Sequence, residues 1–182
     1  MTDPTPEGLI RRAFGLDAAA FEGLLSAVAA ASKPATVEVV RQLDAGVSLK
    51  AALGLSDGAI AHLYAQAFTA FNAGRTARAE DLFRTLCILA GDTADHWMGY
   101  AVCLRLRDAF PHARIACANA LKLRPDWAVP HFHLLEMAMR EEAFDTARDQ
   151  IAALTGRAAE LPDGMARELA RFEIALNRRA GA

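Results

Sequence analysis

His131 and His133 are the residues whose type and spacing come nearest to metal chemistry. On a helix, residues two apart point about 200° away from each other, so a single ion cannot take both as it takes an i, i+4 pair. His133 and Glu136 stand three apart, a spacing that suits a structural hydrogen bond better than an acid–base pair. Ser26, Ser32, Ser48 and Ser56 all fall near expected caps or turns, and neither a P-loop nor an HExxH sequence occurs. Cys87, Cys103 and Cys117 have no CxxC spacing and are odd in number. They read as buried thiols of a reducing compartment. These residues together assign no catalytic group, no metal and no cofactor, and the chain is expected to bind rather than to catalyse.

The elements that position these residues are helical. Apolar residues make up 53% of the 182, but alanine inflates that share while aromatics reach only 7%, a balance that favours helix over sheet. Twenty lysines and arginines face 22 acidic residues, so no net positive field exists to attract nucleic acid or an anionic membrane. The longest apolar stretches, such as Leu24 to Ala31, are far shorter than the ~20 residues a bilayer requires. Asp3 and Glu7 give the start an acidic character unlike the basic opening of a signal peptide. No nucleic-acid partner, no membrane insertion and a cytoplasmic location are expected.

One period organises the middle of the chain. Ala79, Ala113 and Ala147 stand 34 residues apart, and so do Leu63, Trp97 and His131, then Phe83, Cys117 and Ile151, then Leu86, Ala120 and Leu154. A 34-residue period with small residues at fixed places resembles the tetratricopeptide repeat, a helix–turn–helix unit that stacks on its neighbours. The expected fold is all-α: repeats over 60–93, 94–127 and 128–161 form a right-handed superhelix. Residues 1–59 make an N-terminal helical extension, and 162–182 a C-terminal capping helix. Alanines 67, 101, 79, 113 and 147 let paired helices approach closely, and Phe83, Trp97 and Tyr100 fill the space between pairs. Asn72-Ala73-Gly74 supplies a glycine stop between the helices of the first repeat, and Asp108 with Pro111 punctuates the second. The third repeat has Glu141-Glu142 where glycine is expected. In the extension, helices are expected over 18–31, 36–43 and 49–53. Leu161-Pro162-Asp163-Gly164 introduces a last helix over 163–179.

In repeats of this kind the first helix of each pair lines a concave groove. The corresponding positions are Ala61, Tyr64, Phe68 and Phe71, then Asp95, Met98, Val102 and Arg105, then Val129, Phe132, Glu136 and Met139. Tyr64, Phe68, Phe71, Met98, Val102, Arg105, Phe132 and Glu136 form the candidate peptide-binding set. Tyr64 and Phe68 stand where a clamp for a terminal carboxylate would place lysine and asparagine, so the bound segment is expected to be internal, extended and apolar. Phe21, Leu24, Leu25 and Val28 form an apolar stripe with no partner in the repeats and are the candidate contacts of a weak homodimer.

The run Leu63 to Phe71 with Gly74, Ala79, Phe83 and Leu86 to Leu89 resembles the first repeat of the class II type III secretion chaperones, the translocator chaperones. Met98-Gly99-Tyr100-Ala101-Val102-Cys103 is similar to that family's second-repeat signature, and Pro130 to His133 with Glu136 to its third. Asp44 to Gly46 and Ala51 to Ser56 resemble the segment before the first repeat, so the likeness runs over about residues 43–155. The resemblance implies a bacterial cytoplasmic chaperone that holds hydrophobic, pore-forming translocators soluble and ready for export. In that role Tyr64, Phe68 and Phe71, then Met98, Val102 and Phe132, would touch the bound segment. Some members of the family also act with a transcriptional activator. The alternative reading is a general tetratricopeptide scaffold or regulatory adaptor.

Overall fold

A computed structural model describes residues 34–180 of the chain, and every described element is a helix, a turn or a loop. The dimer candidates Phe21, Leu24, Leu25 and Val28, and the expected helix over 18–31, lie outside the described residues. The chain divides into two compact units, the first ending at Ser56 and the second beginning at Asp57.

The described part of the first unit holds α1 (Pro34–Asp44) and the single turn α2 (Leu49–Ala52). Ser48 caps α2 by accepting a hydrogen bond from the Ala51 amide at 3.3 Å, which satisfies one of the amides that a helix start leaves open. Both helices fall where the sequence places them, within two residues at either end.

The second unit is a series of helical hairpins. The first pairs α3 (Asp57–Asn72) with α4 (Thr76–Leu89), the second α5 (Ala94–Leu106) with α6 (Phe110–Leu123), and the third α7 (Ala128–Arg140) with α8 (Phe144–Leu154). Between hairpins, α4 packs on α5 and α6 on α7. The starts of α5 and α7 coincide with the 34-residue period, whereas α3 starts three residues before residue 60.

Alanine sets the distance between paired helices. Ala67, Ala79, Ala101, Ala113 and Ala147 are all essentially inaccessible to solvent, so nothing larger than a methyl group separates the helix backbones there. The three turns share one geometry. Gly74, Asp108 and Glu142, 34 residues apart, all take left-handed backbone angles, with φ of 71°, 62° and 57°. Behind each, an amide reaches back five residues: Arg75 to the Ala70 carbonyl at 2.9 Å, Ala109 to Leu104 at 3.0 Å and Ala143 to Ala138 at 2.9 Å. That pattern closes a helix end by satisfying its last carbonyls. The Glu141-Glu142 turn therefore forms like the others without glycine.

A 3₁₀ turn (Ala158–Glu160) leads to α9 (Asp163–Ala180), which packs on α7 and α8. Met165, Leu169, Phe172 and Leu176 recur at helical spacing and join one apolar cluster with Ala128, Phe132, Leu135 and Leu154. The helix closes the apolar end of the third hairpin, as the terminal element of a repeat stack must. Among the described residues no helix is long and apolar enough to cross a membrane.

Candidate binding groove

The first helices of the first two hairpins, α3 and α5, leave an open pocket of ≈ 220 Å³ between them. Tyr64, Phe68 and Phe71 enter it from α3, and Met98, Gly99 and Val102 from α5. Phe83 of α4 forms part of the lining, while Asp95 and Trp127 complete it. The lining is predominantly apolar. A cavity of roughly 150 Å³ already accommodates a benzene ring, so this one has room for one large apolar side chain or two small ones.

Local packing fixes the pocket's shape. The Tyr64 ring meets Phe83 edge-on at 5.9 Å and lies against His96 at 5.7 Å. His96 is buried and donates through Nδ1 to the Ala90 carbonyl at 2.9 Å, which anchors that ring in turn. Burial, and secondarily the Asp95 charge, raises the Tyr64 phenol's pKa, so it stays a neutral hydroxyl. Gly99 permits the close approach of α4 and α5, since a Cβ there would clash with the edge of the Phe83 ring. Phe68 is 53% exposed, an unusual state for a phenylalanine that borders an apolar pocket. One side of the pocket carries charge. Arg124 pairs with Asp95 at 2.8 Å, and its guanidinium lies 4.2 Å from the Trp127 ring centroid.

Farther along the array the predicted set becomes polar and then closed. Arg105 of α5 reaches Glu136 of α7 at 3.4 Å, and Glu136 also accepts from His133 Nδ1 at 2.7 Å. Burial alone would raise the Glu136 pKa, but the His133 hydrogen bond and the charges of Arg105 and Arg140 outweigh it and hold the carboxyl below its ordinary value. Arg105 Nε is buried without a hydrogen-bond partner among the described residues. Phe132 requires a correction. It was expected to face the groove, yet only 3% of it is exposed, and its ring lies 6.3 Å from Phe172 of the closing helix. The third hairpin is the last, so α9 covers a position that the repeat pattern alone leaves open. The structure thus brings Tyr64, Phe68, Phe71, Met98 and Val102 around one pocket, with Arg105 and Glu136 paired beyond it and Phe132 in the core.

Phe83 and Trp127 line the pocket without having been chosen from the sequence as groove residues. Phe83 was read as filler between pairs, which it also is. Trp127 lies just before α7, outside the four positions taken from each first helix.

The other polar candidates occupy structural places. His131 contacts Gln150 at 2.9 Å while His133 serves Glu136, so the two imidazoles have separate partners. Burial pushes the Cys87 thiol up to about 12, Cys103 to about 11 and Cys117 to about 12, which suppresses the reactive thiolate. The stretch Gly54-Leu55-Ser56-Asp57-Gly58 matches G-x-S-x-G. Its serine lies between α2 and α3, and the strand that must precede a nucleophile elbow is replaced by a helix. Among the described residues no cluster of three or more metal-ligating side chains occurs.

No protein-family model matches the sequence. Solved structures do match the fold. One is PcrH of Pseudomonas aeruginosa in complex with the chaperone binding region of PopD, at 22% identity and a TM-score of 0.64 over 70% of this chain and 97% of that one. Another is the Yersinia enterocolitica type III secretion chaperone SycD in complex with a peptide of the translocator YopD, at 16% identity and a TM-score of 0.64 over 69% and 97%. A type III secretion complex from Aeromonas hydrophila matches at 22% identity and a TM-score of 0.65, over 76% and 92%. The likeness at these identities is one of fold: the chain has the all-helical, tetratricopeptide-like fold of type III secretion translocator chaperones.

Proposed function

We propose that this chain is a bacterial cytoplasmic chaperone of a type III secretion system. It binds a hydrophobic translocator through an extended segment laid along the first helices of its hairpins, and it acts by binding rather than by catalysis. The observation that carries this reading is the open apolar pocket between α3 and α5, bordered by the exposed Phe68. Its fold is one in which PcrH and SycD have been solved with pieces of PopD and YopD. Tyr64, Phe68, Phe71, Met98 and Val102 make the apolar contacts. Arg105 and Glu136 mark the polar far end of the groove, and Phe132 supports it from beneath.

Two or three Leu or Val anchors buried at about 1.5–3 kcal/mol each, less the ordering cost, give micromolar binding. That strength suits a protein that must hold its partner soluble and then release it. The test is co-expression with the hydrophobic, membrane-active protein encoded nearby in the host. Wild-type chain should keep that partner soluble and copurify with it, and Tyr64→Ala with Phe68→Ala should abolish both effects. An unchanged yield of the complex would remove the groove from the account.

The homodimer through Phe21, Leu24, Leu25 and Val28 belongs to the same proposal. Sedimentation of a variant with aspartate at Leu24 and Leu25 should give monomer where the wild type self-associates, and an unchanged subunit number argues against it.

A further inference from the structure

The first hairpin has a second pocket, of ≈ 450 Å³, which contains Gln66, Ala70, Arg75, Arg78 and Leu82. A smaller one of ≈ 270 Å³ on the third hairpin contains Leu134, Ala138, Ala143, Thr146 and Gln150, which stand two 34-residue periods beyond those five in the same order. These are one architectural feature seen twice.

In the third hairpin the preceding helix reaches the feature: Arg114 of α6 lines the pocket and donates to Glu141 at 2.6 Å. In the second hairpin Glu80 of α4 plays the matching part by accepting from Arg107. Wherever one hairpin follows another, a helix lies across this face and brings a charged side chain to it. The face is buried accordingly at Cys103 in the second hairpin and at His133 and Met137 in the third. Thr69, the counterpart of Cys103 and Met137, is exposed, as are His62 and Gln66.

The first hairpin also differs in charge. Arg75 and Arg78 stand where the second has Ala109 and His112 and the third has Ala143 and Thr146. Neither arginine has an ion-pair partner among the described residues. We infer that this face docks an amphipathic helix of a partner protein whose polar edge carries carboxylates for Arg75 and Arg78. A second copy of this chain is the wrong occupant, because two-fold pairing would set the arginines of one face against those of the other. The surface is also distinct from the proposed groove. His62, Gln66 and Thr69 each precede a groove residue, Tyr64, Phe68 and Phe71, by two positions, so they occupy the opposite side of α3. Both sides can therefore be filled at once.

Full-length protein would be titrated, by fluorescence anisotropy, into a synthetic amphipathic helical peptide with a leucine stripe flanked by glutamates, and into its glutamine counterpart. The glutamate peptide should bind, and raising salt from about 0.05 to about 0.5 M should weaken it. Arg75→Ala with Arg78→Ala should weaken it about tenfold, Arg75→Lys with Arg78→Lys should retain most of the affinity, and Tyr64→Ala with Phe68→Ala should change nothing. Equal binding of the glutamine peptide, or indifference to the arginine-to-alanine pair, overturns the inference. So does loss of binding in the groove variant, which would place the peptide in the groove. A drop of several degrees in the melting temperature of the peptide-free arginine-to-alanine variant also overturns it, since the face would then be occupied from within the chain.

Discussion

Arg107 grips Glu80 with two hydrogen bonds, from Nε at 2.8 Å and Nη2 at 3.0 Å, and so joins the second hairpin to the first. One period later the same two positions carry Arg114 and Glu141, joined at 2.6 Å, with the charges exchanged. Each helical interface thus has its own polarity. Docking α4 onto α7 would set Glu80 against Glu141, and docking α6 onto α5 would set Arg114 against Arg107. The exchange disfavours both mispairings through like-charge contact, by an amount on the order of 1 kcal/mol for pairs as exposed as these.

The first prediction follows from that exchange. Arg107→Glu and Glu80→Arg should each destabilise the fold by about 1 kcal/mol in urea denaturation, with Glu80 the more costly because its side chain is only 15% exposed. The double exchange should recover most of the loss. Additive losses in the double variant would mean that the pair does not couple the hairpins.

The turns give a second. Glu142 takes φ of 57°, a conformation that costs a β-carbon-bearing residue about 1 kcal/mol and glycine almost nothing. Glu142→Gly should raise stability by about 0.5–1 kcal/mol, and Gly74→Ala should lower it by a similar amount. The midpoint of a urea melt checks both, and a destabilised Glu142→Gly would show that its side chain matters more than its backbone.

A third concerns Gly99. An added methyl group would meet the Phe83 ring at the base of the pocket, so Gly99→Ala should cost about 1–3 kcal/mol and narrow the space beside Tyr64. Calorimetry should show a lower melting temperature, and binding of an apolar segment should weaken as well.

The fourth is a pH dependence. Because the folded-state pKa of Glu136 is held below the ordinary 4.5, its ionised form is favoured by folding. Its contribution is complete above 4.5 and disappears as pH falls through the folded value. Glu136→Gln should therefore be less stable than wild type near pH ~7, and the gap should narrow progressively as pH falls below 4.5. Melting temperatures across that range give the comparison, and a constant gap would contradict it.

Much of the architecture was legible because close helix packing leaves a mark that repeats. Ala79, Ala113 and Ala147 lie where only a methyl group fits, and their spacing, with the other registers that share it and the tetratricopeptide pattern, gave bounds that coincide with the starts of α5 and α7. Glu142 was harder to read: the helix-ending turn is imposed by the pairing of α7 with α8, and the local residue accepts the strained angle. The pocket between α3 and α5 was legible at Tyr64, Phe68, Phe71, Met98 and Val102, whose period matches a helix face. Phe132 sits at the same repeat position as Met98, but what covers it is α9, an element outside the period. Trp127 joins the pocket from a turn, where helical periodicity carries no information.

The central claim is most directly tested by calorimetric titration of the full-length chain with an extended apolar segment of the translocator encoded beside it. The wild type should bind with a micromolar Kd, and Phe68→Ala with Val102→Ala, at two pocket residues outside the fully buried core, should weaken binding by at least about tenfold while leaving the melting temperature within a few degrees. Undiminished affinity in that variant, or no binding by the wild type at all, would contradict the account.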